Sequence, residues 1–473
     1  MATVARSGVN GVLIGGIVAV ATIGGFLFGY DSGAVNGTQS GLNQAFQLSA
    51  AGLGFTVGSL LIGCFIGAFF AGTLADSMGR RNVMRLAAVL FFFGALIQGL
   101  AHDHTIFVIA RLIGGMAVGA ASVLSPAYIS EVAPANIRGR MTTVQQVMII
   151  TGLTAAYVVN WALQQAAGND STAVVGFGLE AWRWMYLAQA VPAAIFLVAL
   201  FLIPESPRYL VSKGRHDHAL DVLAGLFGTD AATLKHAEIK ASFAADHRPR
   251  LSDVLTPAGG RGFLGMRRIV WVGIMLAVFQ QLVGINVIFY YGSTLWQAAG
   301  FSESQALTTN IISGAISIVA CFVTIAVIDK VGRKPLLLIG SAGMAVALFI
   351  MVYAFSTGTL EGDKLSLPGH MGQIAVGAAL AYSALFNISW GPVMWVMLGE
   401  MFPNQIRGSS LAVAGFFQWF ANYLVAQSFP VMLAGIGLAA SYTFYGVCAV
   451  ISFFLVQAFI HETKGKELEE MEG

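Results

Sequence analysis

The sequence predicts an all-α membrane protein of twelve transmembrane helices, arranged as two pseudo-symmetric six-helix halves. Three observations carry that reading: an apolar composition, uncharged runs long enough to cross a bilayer, and charged motifs that recur six spans apart. Of 473 residues, 57% are hydrophobic and only 10% are charged, too little charge to cover a water-soluble domain. The cations fall singly or in small clusters between apolar runs, with no basic stripe for a nucleic acid. Cys64, Cys321 and Cys448 all lie inside apolar stretches without metal-type spacing and read as packing residues.

A helix needs about 20 residues to cross the hydrocarbon core. Between Arg6 and Asp31 lie 24 uncharged residues, and between Asp31 and Asp76 lie 44. The first apolar run lacks a small-residue cleavage site and reads as a retained span rather than a signal peptide. The predicted spans are 12–34, 53–74, 83–101, 107–128, 142–164 and 184–203, then 270–294, 307–328, 335–356, 373–398, 409–430 and 440–461. The last two share one uncharged run, 408–461, which is expected to turn near Gly435 and Gly437.

Lysine and arginine set the orientation. With the N-terminus in the cytoplasm, only Arg183 and Lys364 fall outside, and Arg111 lies within a span. All the remaining cations fall inside, so both termini are expected to face the cytoplasm of a bacterial cytoplasmic membrane. The one long polar stretch, 204–269, divides a first half (1–203) from a second (270–473). The amphipathic pattern around His218–Leu226 predicts short cytoplasmic helices there.

The halves repeat each other. Asp76-Ser-Met-Gly-Arg80-Arg81 follows span 2, and Asp329-Lys-Val-Gly-Arg333-Lys334 follows span 8. Glu131 and Arg138 follow span 4 as Glu400 and Arg407 follow span 10. Pro204-Glu205-Ser-Pro-Arg208 follows span 6, and His461-Glu462-Thr-Lys464-Gly465 follows span 12. Parallel six-span repeats are a transporter architecture.

On these six ordered motifs the chain resembles the sugar porter branch of the major facilitator superfamily, over essentially its whole length. That branch includes bacterial sugar–proton symporters and glucose facilitators. The resemblance implies an alternating-access monosaccharide carrier that needs no cofactor or metal, works as a monomer in a lipid bilayer, and catalyses no reaction. Positive-inside bias alone explains Arg85 or Arg140, but not a carboxylate paired with arginine at a fixed spacing in both halves. Exposed ion pairs contribute only about 0–1 kcal/mol each, so a cytoplasmic gate of these groups has to act as a network. The expected members are Asp76, Arg80, Arg81, Glu131, Arg138, Glu205, Arg208, Asp329, Arg333, Glu400, Arg407 and Glu462.

A sugar offers hydroxyls, each donor and acceptor, and an apolar ring face. Its site wants amides, which also do both, and aromatic surfaces. Span 7 carries Gln280, Gln281, Asn286, Tyr290 and Tyr291, with Gly284 placed to let the helix bend. Span 5 offers Gln145 and Gln146; span 10 has Asn387, Gly391 and Trp395; span 11 has Gln418, Trp419 and Asn422. A single amide in a span is better read as helix-to-helix glue; a cluster with two tryptophans points to a wet central cavity. The resemblance assigns the sugar to Gln146, Gln280, Gln281, Asn286, Gly391, Trp395, Gln418 and Trp419, with Phe28 and Tyr290 as apolar gates and Asn422 as a weaker candidate. Ser317 stands where many sugar porters have an asparagine that contacts one sugar hydroxyl; Leu153 stands where some xylose carriers have glutamine, and that second difference favours a hexose such as glucose over a pentose such as xylose.

Asp31 is the one carboxylate expected within a span, and Arg111 the one cation. Both fall in the outer half of the membrane, so they can meet if spans 1 and 4 pack together. A static ion pair serving assembly is one reading. The other is a proton switch, because burial and a nearby arginine push a carboxyl in opposite directions. Proton-coupled sugar porters have aspartate at this position, whereas many facilitators have asparagine, so symport is the expectation and uniport the alternative. A sugar sensor on the same fold is a further alternative, but it needs a signalling tail that the short stretch after span 12 does not offer.

Overall fold

A transmembrane chain in lipid must satisfy its backbone polar groups internally, which for apolar runs of this length means helices. The computed structural model describes residues 9–134, 138–245, 251–256, 262–361, 364–403 and 406–464. The first half comprises α1 (Gly11–Phe46), α2 (Ala50–Met78), α3 (Arg80–Leu100), α4 (His104–Val132), α5 (Arg138–Ala166), α6 (Ala181–Leu187) and α7 (Ala190–Ala199). Asn10, Ser49 and Asp103 cap α1, α2 and α4 by accepting backbone N–H groups of the first turn. Three short helices follow in the linker, α8 (Pro207–Ser212), α9 (His216–Phe227) and α10 (Thr229–Ala245). The second half holds α11 (Arg268–Leu282), α12 (Ile285–Ala298), α13 (Glu303–Val331), α14 (Arg333–Ser356), α15 (Met371–Ile388), α16 (Trp390–Met401) and α17 (Arg407–Phe459). Three small antiparallel hairpins lie in the connections.

Ten helices or broken helices among the described residues are long and apolar enough to cross a bilayer. The 53-residue α17 is one of them, and at about 1.5 Å per residue it would far exceed a bilayer if straight. Its backbone breaks at Gly437 (φ 78°, ψ 178°) and it supplies two crossings. The short α6–α7 pair supplies the remaining one, which completes twelve.

Three predicted spans are not single helices. Span 6 is interrupted at Ala188 and Gln189. Span 7 breaks at Gly284 (φ 86°), a left-handed backbone that glycine adopts without strain. Span 10 breaks at Ser389. The first helix also runs to Phe46, well beyond the expected end at residue 34; the apolar pattern had faded, but Asn36 and Gln39 beyond it bond backbone carbonyls of α12 in the other half.

Packing places the site. Gly63 and Gly67 of α2 face Gly115 and Gly119 of α4 so closely that a Cβ on any of them would lie 1.9–2.2 Å from a backbone oxygen of the other helix. Such small-residue contacts let membrane helices approach backbone to backbone. Two large apolar cores result, one within the first half and linker and one centred on the second half. Trp419 packs against both, and the halves meet along α1–α12, α5–α13 and α2–α17.

Candidate functional site

At the centre, amides from broken helices form one continuous hydrogen-bonded chain. Gln280 Nε2 donates to two carbonyls in the first turn of α16, Trp390 O at 3.0 Å and Gly391 O at 3.2 Å. Gln280 Oε1 accepts from Gln281 Nε2 at 3.2 Å and from Gln418 Nε2 at 3.3 Å. Asn286 Nδ2 then donates to Gln281 Oε1 at 2.5 Å and to Asn422 Oδ1 at 2.8 Å. Asn422 Nδ2 reaches the Tyr290 hydroxyl at 3.1 Å. The break at Gly284 turns Asn286 back toward Gln281, which an unbroken helix would not do at a spacing of five residues. All these side chains are buried, and Gln418 Oε1 is left without a partner. Phe28 of α1 packs edge-on against Trp419, ring centres 5.4 Å apart, bringing an aromatic wall from the other half.

The structure thus unites Gln280, Gln281, Asn286, Tyr290, Gly391 and Gln418, and it moves Asn422 from the margin of the sequence reading to the middle of the chain. Two nominated residues stand apart. Gln146 is half-buried and forms no hydrogen bond among the described residues, and its neighbour Gln145 is the one buried against α1, beside Gly25. Trp395 is 40% exposed. Ser317 is buried with an unpartnered hydroxyl, and Leu153 packs where α5 meets the backbone of Gly29 and Gly33.

Asp31 and Arg111 meet, with Arg111 Nη2 3.5 Å from Asp31 Oδ2 and both side chains fully buried. The close α2–α4 approach brings carbonyls to the guanidinium. Arg111 also donates to Thr56 O at 3.0 Å, Val57 O at 3.2 Å and Gln98 Oε1 at 3.3 Å. Asp31 Oδ1 has no partner. A cavity of about 10 Å³, room for roughly one water, is lined by Asp31, Ser32, Arg111 and Tyr290, so the ion pair and the amide chain share a wall.

The repeated motifs fold into two matching clusters. Arg80 pairs with Asp76 at 3.0 Å and Glu131 at 3.2 Å. Arg333 pairs with Asp329 at 3.0 Å and Glu400 at 2.8 Å. Glu205 accepts the Arg81 N–H at 3.2 Å at the start of α3, and Glu462 accepts the Arg333 and Lys334 N–H groups at 3.0 Å at the start of α14. Each carboxylate covers orphan donors and meets the positive end of a helix. Ser206 bonds Glu131 as Thr463 bonds Glu400. Burial alone would raise the Glu462 carboxyl, but the N–H groups of Lys464, Arg333, Lys334 and Thr463 outweigh it and hold the group below the ordinary carboxylate value. These ion pairs of Arg80 and Arg333 close within their own halves rather than between them. The Arg138 side chain lies outside the described residues; Arg208 and Arg407 sit at the same end of the bundle, at the start of α8 and α17.

Two pseudo-symmetric six-span halves around a buried polar centre define a membrane transporter of the major facilitator fold, not an enzyme. The chain belongs to the family described as sugar (and other) transporters, whose profile matches residues 17–473. It is 44% identical over 455 residues, 96% of each chain, to the glucose transport protein of Synechocystis sp.. It is 39% identical to the D-xylose-proton symporter of Escherichia coli K12, covering 98% of this chain and 96% of that one. The inward open conformation of the xylose transporter XylE from E. coli superimposes with a TM-score of 0.81 at 37% identity, over 97% of this chain and 99% of that one.

Proposed function

We propose that this protein imports a monosaccharide together with a proton, by alternating access of a site between its halves. One observation carries the reading: the buried amide chain ends at Tyr290, which lines the same small cavity as Asp31 and Arg111. Sugar hydroxyls can replace the amide-to-amide bonds one for one, because each amide offers a donor and an acceptor. Gln280, Gln281, Asn286, Gln418 and Asn422 take the hydroxyls, Phe28 and Trp419 the ring face, and Gly391 its carbonyl's bond from Gln280. Gln146 and Trp395 join when the halves rearrange. Asp31 carries the proton, and Arg111 holds its charge when the proton leaves. The clusters around Arg80 and Arg333 stiffen the cytoplasmic ends of each half and gate that side as a network.

The names of the relatives support glucose and xylose as the substrates to test first, and a proton as co-substrate. The protein sits as a monomer in the cytoplasmic membrane with both termini inside. The test is uptake of labelled glucose into proteoliposomes, with and without an inward proton gradient and with unlabelled xylose and galactose as competitors. Concentrative, gradient-dependent, competed uptake is expected. Equilibrating uptake indifferent to the gradient would make it a uniporter, and no uptake with intact binding would make it a sensor.

A further inference from the structure

Span 7 breaks where its own backbone bonds change partner. In a continuous helix the Val287 N–H would bond the Val283 carbonyl, four residues back; here it bonds Gly284 O at 3.1 Å. The Val283 carbonyl is taken instead by a side chain from span 10. The Tyr382 hydroxyl of α15 donates to Val283 O at 2.6 Å, and both residues are fully buried. The Tyr445 ring of α17 lies against Gly284, where a Cβ would come within 2.6 Å of it. Gly284 is therefore held at φ 86° by its surroundings as well as by its own freedom. Span 10 grips span 7 at two points, through Tyr382 on Val283 and through the first turn of α16 on Gln280.

We propose that Tyr382 is a positioning residue of the sugar site, acting through the Val283 carbonyl to keep span 7 broken and Asn286 turned toward Gln281. The reason lies in what the buried carbonyl does without it. A carbonyl away from water and without a partner is costly, and the donor it would have in a continuous helix is the Val287 N–H. Taking that N–H back closes the helix across Gly284, and a spacing of five residues then carries Asn286 away from Gln281. Removing the hydroxyl alone moves part of the population to a straight span 7, in which the amide chain is interrupted. Affinity for the sugar falls with the fraction that stays broken. Neighbouring tyrosines do not share this role. Tyr442, its ring centre 5.8 Å from that of Tyr445, has a buried hydroxyl without a partner among the described residues. The Tyr291 hydroxyl goes to Ala426 O of α17 at 2.6 Å.

The inference rests on the sugar-site reading, so its test has one arm with sugar and one without. In the first, glucose is titrated calorimetrically into the purified full-length protein. Tyr382→Phe should weaken glucose binding about tenfold, the loss of one hydrogen bond, and Tyr442→Phe should leave it unchanged. In an Asn286→Ala background, Tyr382→Phe should cost nothing further, because the broken and straight forms then bind alike. In the second arm, Gln281→Cys and Asn286→Cys are combined and oxidised, and their disulfide is scored by mass spectrometry. Cys64, Cys321 and Cys448, all buried, are present in every sample. Adding Tyr382→Phe should slow that disulfide several-fold. Unchanged glucose affinity or an unchanged disulfide rate would overturn the proposal, as would full additivity with Asn286→Ala. Failure of Tyr382→Phe to fold would overturn it too, since the hydroxyl would then hold the second half together rather than one bend within it. A slowed disulfide in a protein that binds no glucose would keep Tyr382 as the keeper of the break and put the sugar reading at fault.

Discussion

Asp31 and Arg111 face each other at 3.5 Å from helices α1 and α4, while the guanidinium takes three further acceptors and one carboxylate oxygen takes none. The pair is lopsided: the arginine is anchored without the aspartate, but the aspartate is not anchored without the arginine. Breaking a buried pair from one side costs about 3–5 kcal/mol. Arg111→Met is expected to lose stability on that scale, while Asp31→Asn, which leaves Arg111 its other acceptors, loses much less. Thermal unfolding of the two purified variants, followed by size-exclusion chromatography, measures the difference; equal losses would contradict the asymmetry.

Within the amide chain, Asn286→Ala or Asn422→Ala is expected to weaken sugar binding by about 1–3 kcal/mol, because a buried hydroxyl loses its partner. Gln280→Ala should do more, since Gln280 also ties α11 to two carbonyls in the first turn of α16. Its melting temperature should fall as well, whereas those of the other two should hardly move. Calorimetric titration with the transported sugar reads the first effect. Unchanged affinity in both asparagine variants would make these amides helix glue.

Glu462 offers a pH signature outside the membrane. Its carboxyl lies below the ordinary value, so its stabilising effect is present above the unfolded value of about 4.3 and is lost as the pH falls through the folded one. Glu462→Gln keeps a single acceptor for the N–H groups of Arg333 and Lys334. The variant should melt below wild type at neutral pH, and the gap should close as the pH drops below 4.3. A gap that is constant with pH would mean that packing, not charge, is what the substitution disturbs.

Topology is checked with single cysteines at two exposed sites at opposite ends. Ser77→Cys at the end of α2 should react with an impermeant thiol reagent only in inside-out vesicles. Phe177→Cys, in the loop before α6, should react in intact cells. The reverse pattern would invert the proposed orientation.

Most of this architecture is legible from charge spacing, because a bilayer forces apolar runs into helices of fixed length. Asp31 and Arg111 stand out for the same reason, as the only charges where charges are costly. The motif carboxylates show themselves by repetition, though not that Glu205 and Glu462 cap helices more than a hundred residues distant in sequence. The helix breaks at Ser389 and Gln189 leave no mark in hydropathy; their sign is Pro392 and Pro192, three residues on, which lack the N–H that would bond the carbonyls of Ile388 and Ala188. Asn36 and Gln39 lie past the predicted end of span 1 and so read as loop, while Asn310 reads as a lone amide in the first turn of span 8. Only the partner helix shows that they are buried, and the one available sign was that no charge follows Asp31 until Asp76. Gln145 and Gln146 are adjacent in sequence, and only packing against Gly25 tells which of them is the buried one.

In the proposed cycle Asp31 couples the proton to the sugar, and a single side-by-side comparison can show whether it does. Wild-type and Asp31→Asn proteins are reconstituted side by side, and labelled sugar is followed in two modes, accumulation driven by an inward proton gradient and counterflow exchange without one. Asparagine keeps the shape of aspartate but cannot change charge. The variant is expected to retain counterflow and sugar binding while losing accumulation, and only wild type should alkalinise a weakly buffered medium when sugar is added. Accumulation by Asp31→Asn at the wild-type level would contradict the account and leave Asp31 a structural partner of Arg111.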